Sequence, residues 1–298
     1  MVSRSKILHF DTEDSIGNFD IAFANRTGGS GQSITCTHTF NSKITIATPI
    51  ENVTAISLKT MEFPHTVFNV RSSNTSNIIT FTAVYGGISG GATVTLPDKN
   101  YTSISTLLTD INAGFVTAIA TITGFSGFTV VFSLNPLDNT KITIKSKPQQ
   151  LVVGSMSYGN ITFSKSVLLK SIIGKSFQMI EESDRSMWNA DTYSYLNCTN
   201  NYNLQPDNYF NMNIKNIQTS PSNANGRPST FKIPLTGTFG EIIYWTENDG
   251  TEQKVYIDRP NTTLDSLNFV ISDRWGYYVC SNGAQLSFTL NIEYDEPY

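Results

Sequence analysis

Histidines, clustered acids and glycine-lysine turns are the places where this chain could do chemistry. Its whole histidine supply is His9, His38 and His65. His9 lies in the N-terminal segment and the others in or beside strand-like runs, and no two stand at the spacing of a metal site or a nucleophile motif. They read as three histidines without a catalytic post. Gly174-Lys175-Ser176 imitates the end of a phosphate-binding loop, which requires a glycine five positions before its Gly-Lys pair. Leu169 stands there instead, inside an apolar run. Gly174 therefore reads as a helix terminator and Lys175 as a solvated charge. The glycines between Gly86 and Gly91 read as a hairpin loop, because no helix opens at their end as phosphate binding would demand. Glu181, Glu182 and Asp184 gather before Trp188. Glycoside hydrolysis uses two acids facing one sugar, but the same cluster is also the composition of a solvated turn. Trp188, Tyr193, Tyr195 and Tyr202 offer flat rings that stack on sugars, anchor a partner, or fold back on the β-sandwich. The expectation is a protein with no catalytic, cofactor-binding or metal-ligating residues, hence not an enzyme.

The elements that would carry these residues are mostly strands. One helix stands out between 102 and 115, where Ile104, Leu107, Leu108, Ile111 and Phe115 paint a single stripe. Thr102 or Ser103 is placed to cap its start and Gly114 to end it. A strand at 93–96 pairs with 79–85 across the glycine loop. Phe128, Val130, Phe132 and Leu134 alternate, as do Ile142 and Ile144 beyond a turn at 136–139, which predicts a second hairpin. The run 167–173, stopped by Gly174, predicts a second short helix. The order β-β-α-β-β-α over 77–180 makes a compact α/β unit.

Around it the strand signals are short. They fall at 34–38, 43–47, 53–63, 209–217, 231–235, 241–245, 255–257 and 267–271. In 53–63, Ile56 and Leu58 share one face while Met61 and Phe63 take the other, which predicts a β-bulge, and Pro64 closes the strand. Leu286, Phe288, Leu290, Ile292 and Tyr294 keep a strict period of two and predict a half-buried antiparallel strand. The segments 180–208 and 220–229 read as loops. The fold class expected is all-β dominated, a single jelly-roll β-sandwich with an inserted small α/β unit. The organisation expected is an N-terminal arm over 1–28, a sandwich over 29–76 and 181–298, and the insertion over 77–180.

Composition narrows the function classes. Charged residues are 15% of the 298, against about 25% in ordinary soluble domains. The net charge of −4 and the absence of any Lys/Arg run leave nucleic acid and anionic membrane without electrostatic attraction. No stretch approaches the roughly 20 apolar residues of a membrane span. Acidic residues arrive before any apolar run of signal-peptide length, and Cys36, Cys198 and Cys280 lack metal-type spacing. The expectation is three reduced thiols in a protein made in a reducing cytoplasm. The N-x-[ST] sites at Asn25, Asn52, Asn74, Asn100, Asn160, Asn197 and Asn261 then read as chance products of an Asn/Thr/Ser-rich chain.

In order along the chain, HFDTEDSIGNFDIAF, EFPHTVFNV, TLPDKNYTSISTLLTDIN, KITIKSK, LLKSIIGKSF, FNMNIKNI, STFKIPL, GEIIYW and LDSLNFVISDRWGYYVCSNGAQLSFTLNIEY resemble one family. It is the single jelly-roll penton (vertex) and minor capsid proteins of virophages and large icosahedral DNA viruses. The chain departs from that pattern at Asp98-Lys99, where the family's Pro turn usually carries a glycine, and after Asp14-Ser15, where an arginine is expected. The resemblance implies a structural virion protein, a capsid vertex subunit assembled in the host cytoplasm as a homopentamer. It would contact the major capsid protein and other minor capsid proteins, with no cofactor. It also implies that the arm reaches adjacent capsomers or the inner shell and that the insertion projects outward. A minor capsid or cement protein of the same shell, or a carbohydrate-binding attachment module with a glycan receptor, are the other readings open at this point.

Overall fold

The structure is a computed structural model describing residues 2–11, 41–146, 160–164, 166–174, 194–217, 230–247, 253–257, 262–280, 282 and 284–296. In chain order it contains β1 (Val2–Asp11), β2 (Asn41–Pro64), β3 (Ile78–Tyr85), β4 (Ile88–Thr95), helix α1 (Ile104–Ala120), β5 (Val130–Asn135), β6 (Asp138–Ser146) and β7 (Asn160–Phe163). A single π-helical turn, Leu168–Ile172, follows. Then come β8 (Ser194–Asn197), β9 (Tyr209–Ile214), β10 (Phe231–Pro234), β11 (Ile242–Thr246), β12 (Gln253–Tyr256), β13 (Thr262–Ser272) and β14 (Ser287–Glu296). The protein is β-dominated, as its residue pattern predicts, and divides into two compact units, Met1–Val67 with Asp207–Tyr298, and Phe68–Pro206.

The first unit is one curled sheet of eight strands organised on β2. Along one edge of β2 lie β11, β12 and β13 in succession, from Ile242 opposite Pro64 down to Val270 opposite Asn41. Along the other edge lies β14, from Ser287 opposite Glu62 to Tyr294 opposite Val53, and β1 covers the far edge of β14. Beyond β13 come β9 and β10. The C-terminal half of β2 thus belongs to the group β1–β14–β2–β11/β12, and its N-terminal half to the group β2–β13–β9–β10. The two groups close on one core, giving a sandwich-like fold. Phe63 on β2 packs at 5.6 Å on Phe210 of β9, which it does not pair with. Phe288 is stacked on Phe10 and edge-on to Phe269. Where β10 and β12 come side by side, the Gln253 amide accepts from the Lys232 N–H (2.5 Å) and donates to its carbonyl (2.7 Å). A side chain here does the work of a ladder rung.

Several expectations change here. The strands expected at 43–47 and 53–63 are one 24-residue strand. Its irregular point is Asn52, held at φ 52°, with its side chain donating to the Asp295 carbonyl. The predicted bulge falls at Lys59, because Thr289 opposes Thr60 while Leu290 opposes Leu58. The arm expected over 1–28 is, for residues 2–11, a ten-residue strand of the sheet. Among the described side chains of this strand Phe10 alone is buried, so the local pattern is too thin to announce a strand; pairing with the far end of the chain supplies the rest. Residues 12–28 and the strand expected at 34–38 lie outside the described residues.

The second unit packs α1 against two three-stranded sheets, β4–β3–β7 and β5–β6–β8. The helix buries Ile104, Leu107, Leu108, Ile111 and Phe115, the predicted stripe, and extends it with Ala118 and Ile119. Phe115 lies between Phe81 (5.0 Å) and Phe132 (5.2 Å), joining both sheets to the helix. The helix does not stop at Gly114. A Cβ on Gly114 would lie 2.5 Å from Val94 Cγ1, so the glycine lets β4 come close mid-helix. Gly174 does end the π turn, at φ 87°, where a Cβ would meet the Asn200 carbonyl at 2.3 Å.

The boundaries between units also move. The expected break near 76/77 falls at 67/68, because Asn69 donates to the Tyr101 and Leu204 carbonyls and accepts from the Tyr101 N–H. Val70 and Lys99 exchange two backbone bonds. The expected break at 180/181 falls at 206/207. Inside the segment expected to be loop, β8 pairs with β6, and Tyr202 and Leu204 pack on this unit's core. Cys198 is a buried free thiol, whereas Cys280 is disulfide-bonded, which overturns the expectation of three reduced cysteines. Spacing along a sequence carries no information on which Cα atoms approach closely enough to be bridged.

Candidate functional site

The residues singled out for chemistry are not brought together. His9 is exposed on β1, and His65 follows β2, with Nδ1 3.0 Å from the Gly237 carbonyl and its ring edge-on to Phe239. His38, Lys175, the acids Glu181, Glu182 and Asp184, and the rings of Trp188 and Tyr193 lie outside the described residues. Tyr195 falls on β8, in the second unit. Tyr202 is partly buried, but against the second unit's core and not folded back on the sandwich as the loop reading expected. Gly86 and Gly87, both at positive φ, make the two-residue turn between β3 and β4. Among the described residues, no group of three or more His, Cys, Asp or Glu is placed to hold a metal, and no helix is long and apolar enough to cross a membrane.

A concave site does exist, in a place no motif marked. It is a cleft of about 430 Å³ on the first unit, crossing four adjacent strands, β1, β14, β2 and β11. Antiparallel pairing puts alternate residues of each strand on one face, and the registers fix two rows across it. One row runs Asp11, Ser287, Glu62, Tyr244, and the next His9, Thr289, Thr60, Thr246. The intervening Phe10, Phe288 and Met61 point into the core. Within the second row, Thr60 Oγ1 donates to Thr289 Oγ1 at 2.8 Å, and Thr289 Oγ1 is 2.8 Å from His9 Nδ1. Within the first, Ser287 Oγ donates to Glu62 Oε2 at 3.2 Å. Thr289 is the buried floor of the cleft, and Tyr244, 67% exposed, is a ring standing at one wall.

The chemistry this arrangement offers is recognition. Carboxylates, hydroxyls and an imidazole lie on one surface beside an aromatic face. Sequence reasoning passed over it because its rows are assembled from residues near 10, 60, 245 and 288, joined only by strand register. The available signal was the alternation in GEIIYW, which turns Ile243 inward and Ile242 and Tyr244 outward.

The chain's departures at Asp98 and Lys99 have local work in the second unit. Asp98 accepts from the Ser72 N–H (2.8 Å), the Ser72 hydroxyl (2.6 Å) and the Asn77 amide, closing the loop before β3. Of the N-x-[ST] sites, Asn74 is sealed at 1% exposure and accepts from the Ser76 N–H, while Asn197 is exposed.

No protein-family model matches the chain, and no curated protein matches it. Among solved structures the chain is similar to the crystal structure of a selenomethionine-labelled mavirus penton protein. The identity is 11% and the TM-score 0.42, over 97% of this chain and 99% of that one.

Proposed function

We propose that this protein is a structural subunit of a viral capsid, placed at the vertex and assembling as a homopentamer. The observation that carries the reading is the fate of the segments that resemble the vertex and minor capsid family. FNMNIKNI, STFKIPL, GEIIYW, LDSLNFVIS and QLSFTLNIEY provide β9, β10, β11, β13 and β14. Together with β1 and β2 they form one continuous sheet about a single core. TLPDKNYTSISTLLTDIN and KITIKSK provide the end of β4, the first half of α1, and most of β6 of the second unit.

A wall of this kind suits tiling. Five copies around an axis meet head to tail, each using two different flanks, and permanent contacts of that type bury about 2,000 Å² or more. The partners in this reading are further copies of the chain, the major capsid protein and other minor capsid proteins of the same shell, in the virion.

Native mass spectrometry of the full chain is the test. The expected species has five times the 32.9 kDa chain mass, and electron microscopy of particles assembled with the major capsid protein shows it on five-fold axes. A stable monomer that never enters particles overturns the reading. Incorporation away from the five-fold axes assigns a minor or cement position in its place.

A further inference from the structure

We propose that the cleft across β1, β14, β2 and β11 binds a neutral glycan two or three sugar units long. This goes beyond the vertex reading and stands independently of it.

Size comes first. From β1 to β11 is three strand steps, about 14 Å at about 4.8 Å per step, enough for two linked pyranose rings laid across the strands. The cleft's volume of about 430 Å³ lies in the range of small-molecule sites, about 300–1,000 Å³. A site of this size is filled by a short oligosaccharide.

The lining decides the chemistry. Tyr244 presents an exposed ring at one end, the flat amphipathic surface on which the C–H face of a sugar packs. Glu62 sits in the same row, beside Ser287, and its carboxylate oxygens accept from sugar hydroxyls. The row behind them, His9–Thr289–Thr60, carries groups that both donate and accept. A hydroxyl-rich ligand needs such a mixture, because each hydroxyl it buries without a partner costs about 1–3 kcal/mol.

Other ligand classes fit less well. The exposed Glu62 carboxylate opposes a phosphate, a sialic acid or a nucleic acid. A peptide adding itself as a strand needs open backbone groups, and in the middle of this face both edges of β14 and of β2 are already paired. A wholly apolar partner would seal the hydroxyl row from water and offer it nothing in return.

The experiment uses the full chain on an array of immobilised mannose-, galactose- and N-acetylglucosamine-terminated oligosaccharides, with sialylated versions alongside. The expected result is binding to at least one neutral probe and none to its sialylated counterpart. Tyr244→Ala should weaken that binding at least tenfold, Tyr244→Phe should keep most of it, and Glu62→Gln should weaken it several-fold. Both positions are exposed, and circular dichroism with native mass verifies that fold and assembly are unchanged. No neutral probe bound at millimolar concentration, equal binding by Tyr244→Ala, or a preference for sialylated probes overturns the proposal. A pentamer that binds no glycan would sink this inference alone, and a glycan-binding monomer that never enters particles would sink the vertex reading alone.

Discussion

Tyr101 shows how one side chain can tie a loop to a helix. Its ring is buried, and its hydroxyl donates to Asp110 Oδ2 on α1 at 2.7 Å. Burial first, then that hydrogen bond and the adjacent negative charge, hold the phenol's pKa well above its usual value near 10. The folded state therefore favours the protonated form. The stability this provides is complete below about pH 10 and is lost as the pH rises past it toward the folded value. Urea denaturation from pH 7 to 11 should show Tyr101→Phe less stable by about 1–3 kcal/mol at pH 7, with the gap narrowing above pH 10. Parallel curves would mean the phenol is not coupled to folding. The two proteins differ at this residue alone, so the difference between the curves isolates it. At this scale the sequence told part of the story. Tyr101 stood beside a helix start, but its tie to Asp110 depends on the turn at 97–101 folding back over the first helical turns. Gly114 was misread for a similar reason: glycine ends helices and also admits close neighbours, and only the position of Val94 decides between those roles.

The elements that were legible are those whose pattern is complete within one segment. The stripe on α1 and the alternations on β5 and β14 needed no partner to be seen, and the bulge at Lys59 was legible as a slip of face within β2. The first strand was not. It owes its place to ten rungs with β14, and to Phe10 stacked on Phe288 at 5.2 Å. Phe10→Ala should lower stability by about 3 kcal/mol, the usual cost of emptying a buried aromatic position. Removing residues 1–11 should cost more and promote self-association, because it bares the edge of β14. Thermal melting and light scattering check this. A truncated chain that melts with the full one would show that β1 contributes nothing to the sheet.

At the scale of the whole molecule, the two units keep separate cores. The second is continuous in sequence and holds the aromatic group of Phe81, Phe115, Phe132 and Phe163. Residues 68–206 expressed alone should fold cooperatively, with protected amides in α1, β3 and β6 by hydrogen exchange; a fragment without protection would mean that it needs the rest of the chain. The same cut made at 77–180 should fold worse, because it discards Asn69, Val70, β8 and Leu204. This boundary could not be read from the sequence, since the flanking segments are tied in by the Asn69 side chain, the Val70–Lys99 backbone pair and β8, each to a partner distant in sequence.

Local periodicity by itself determined the β-dominated class, the helix-bearing middle unit and most of the strands, because burial of one face imposes a period that a single segment displays. Only the tertiary structure decided that β2 is one strand serving both strand groups of the sandwich, that the N-terminus is a strand, and that Asp11, Glu62 and Tyr244 share a cleft. Those facts rest on register between residues as much as 294 apart in sequence, and a register is a property of the paired backbones that neither strand carries alone.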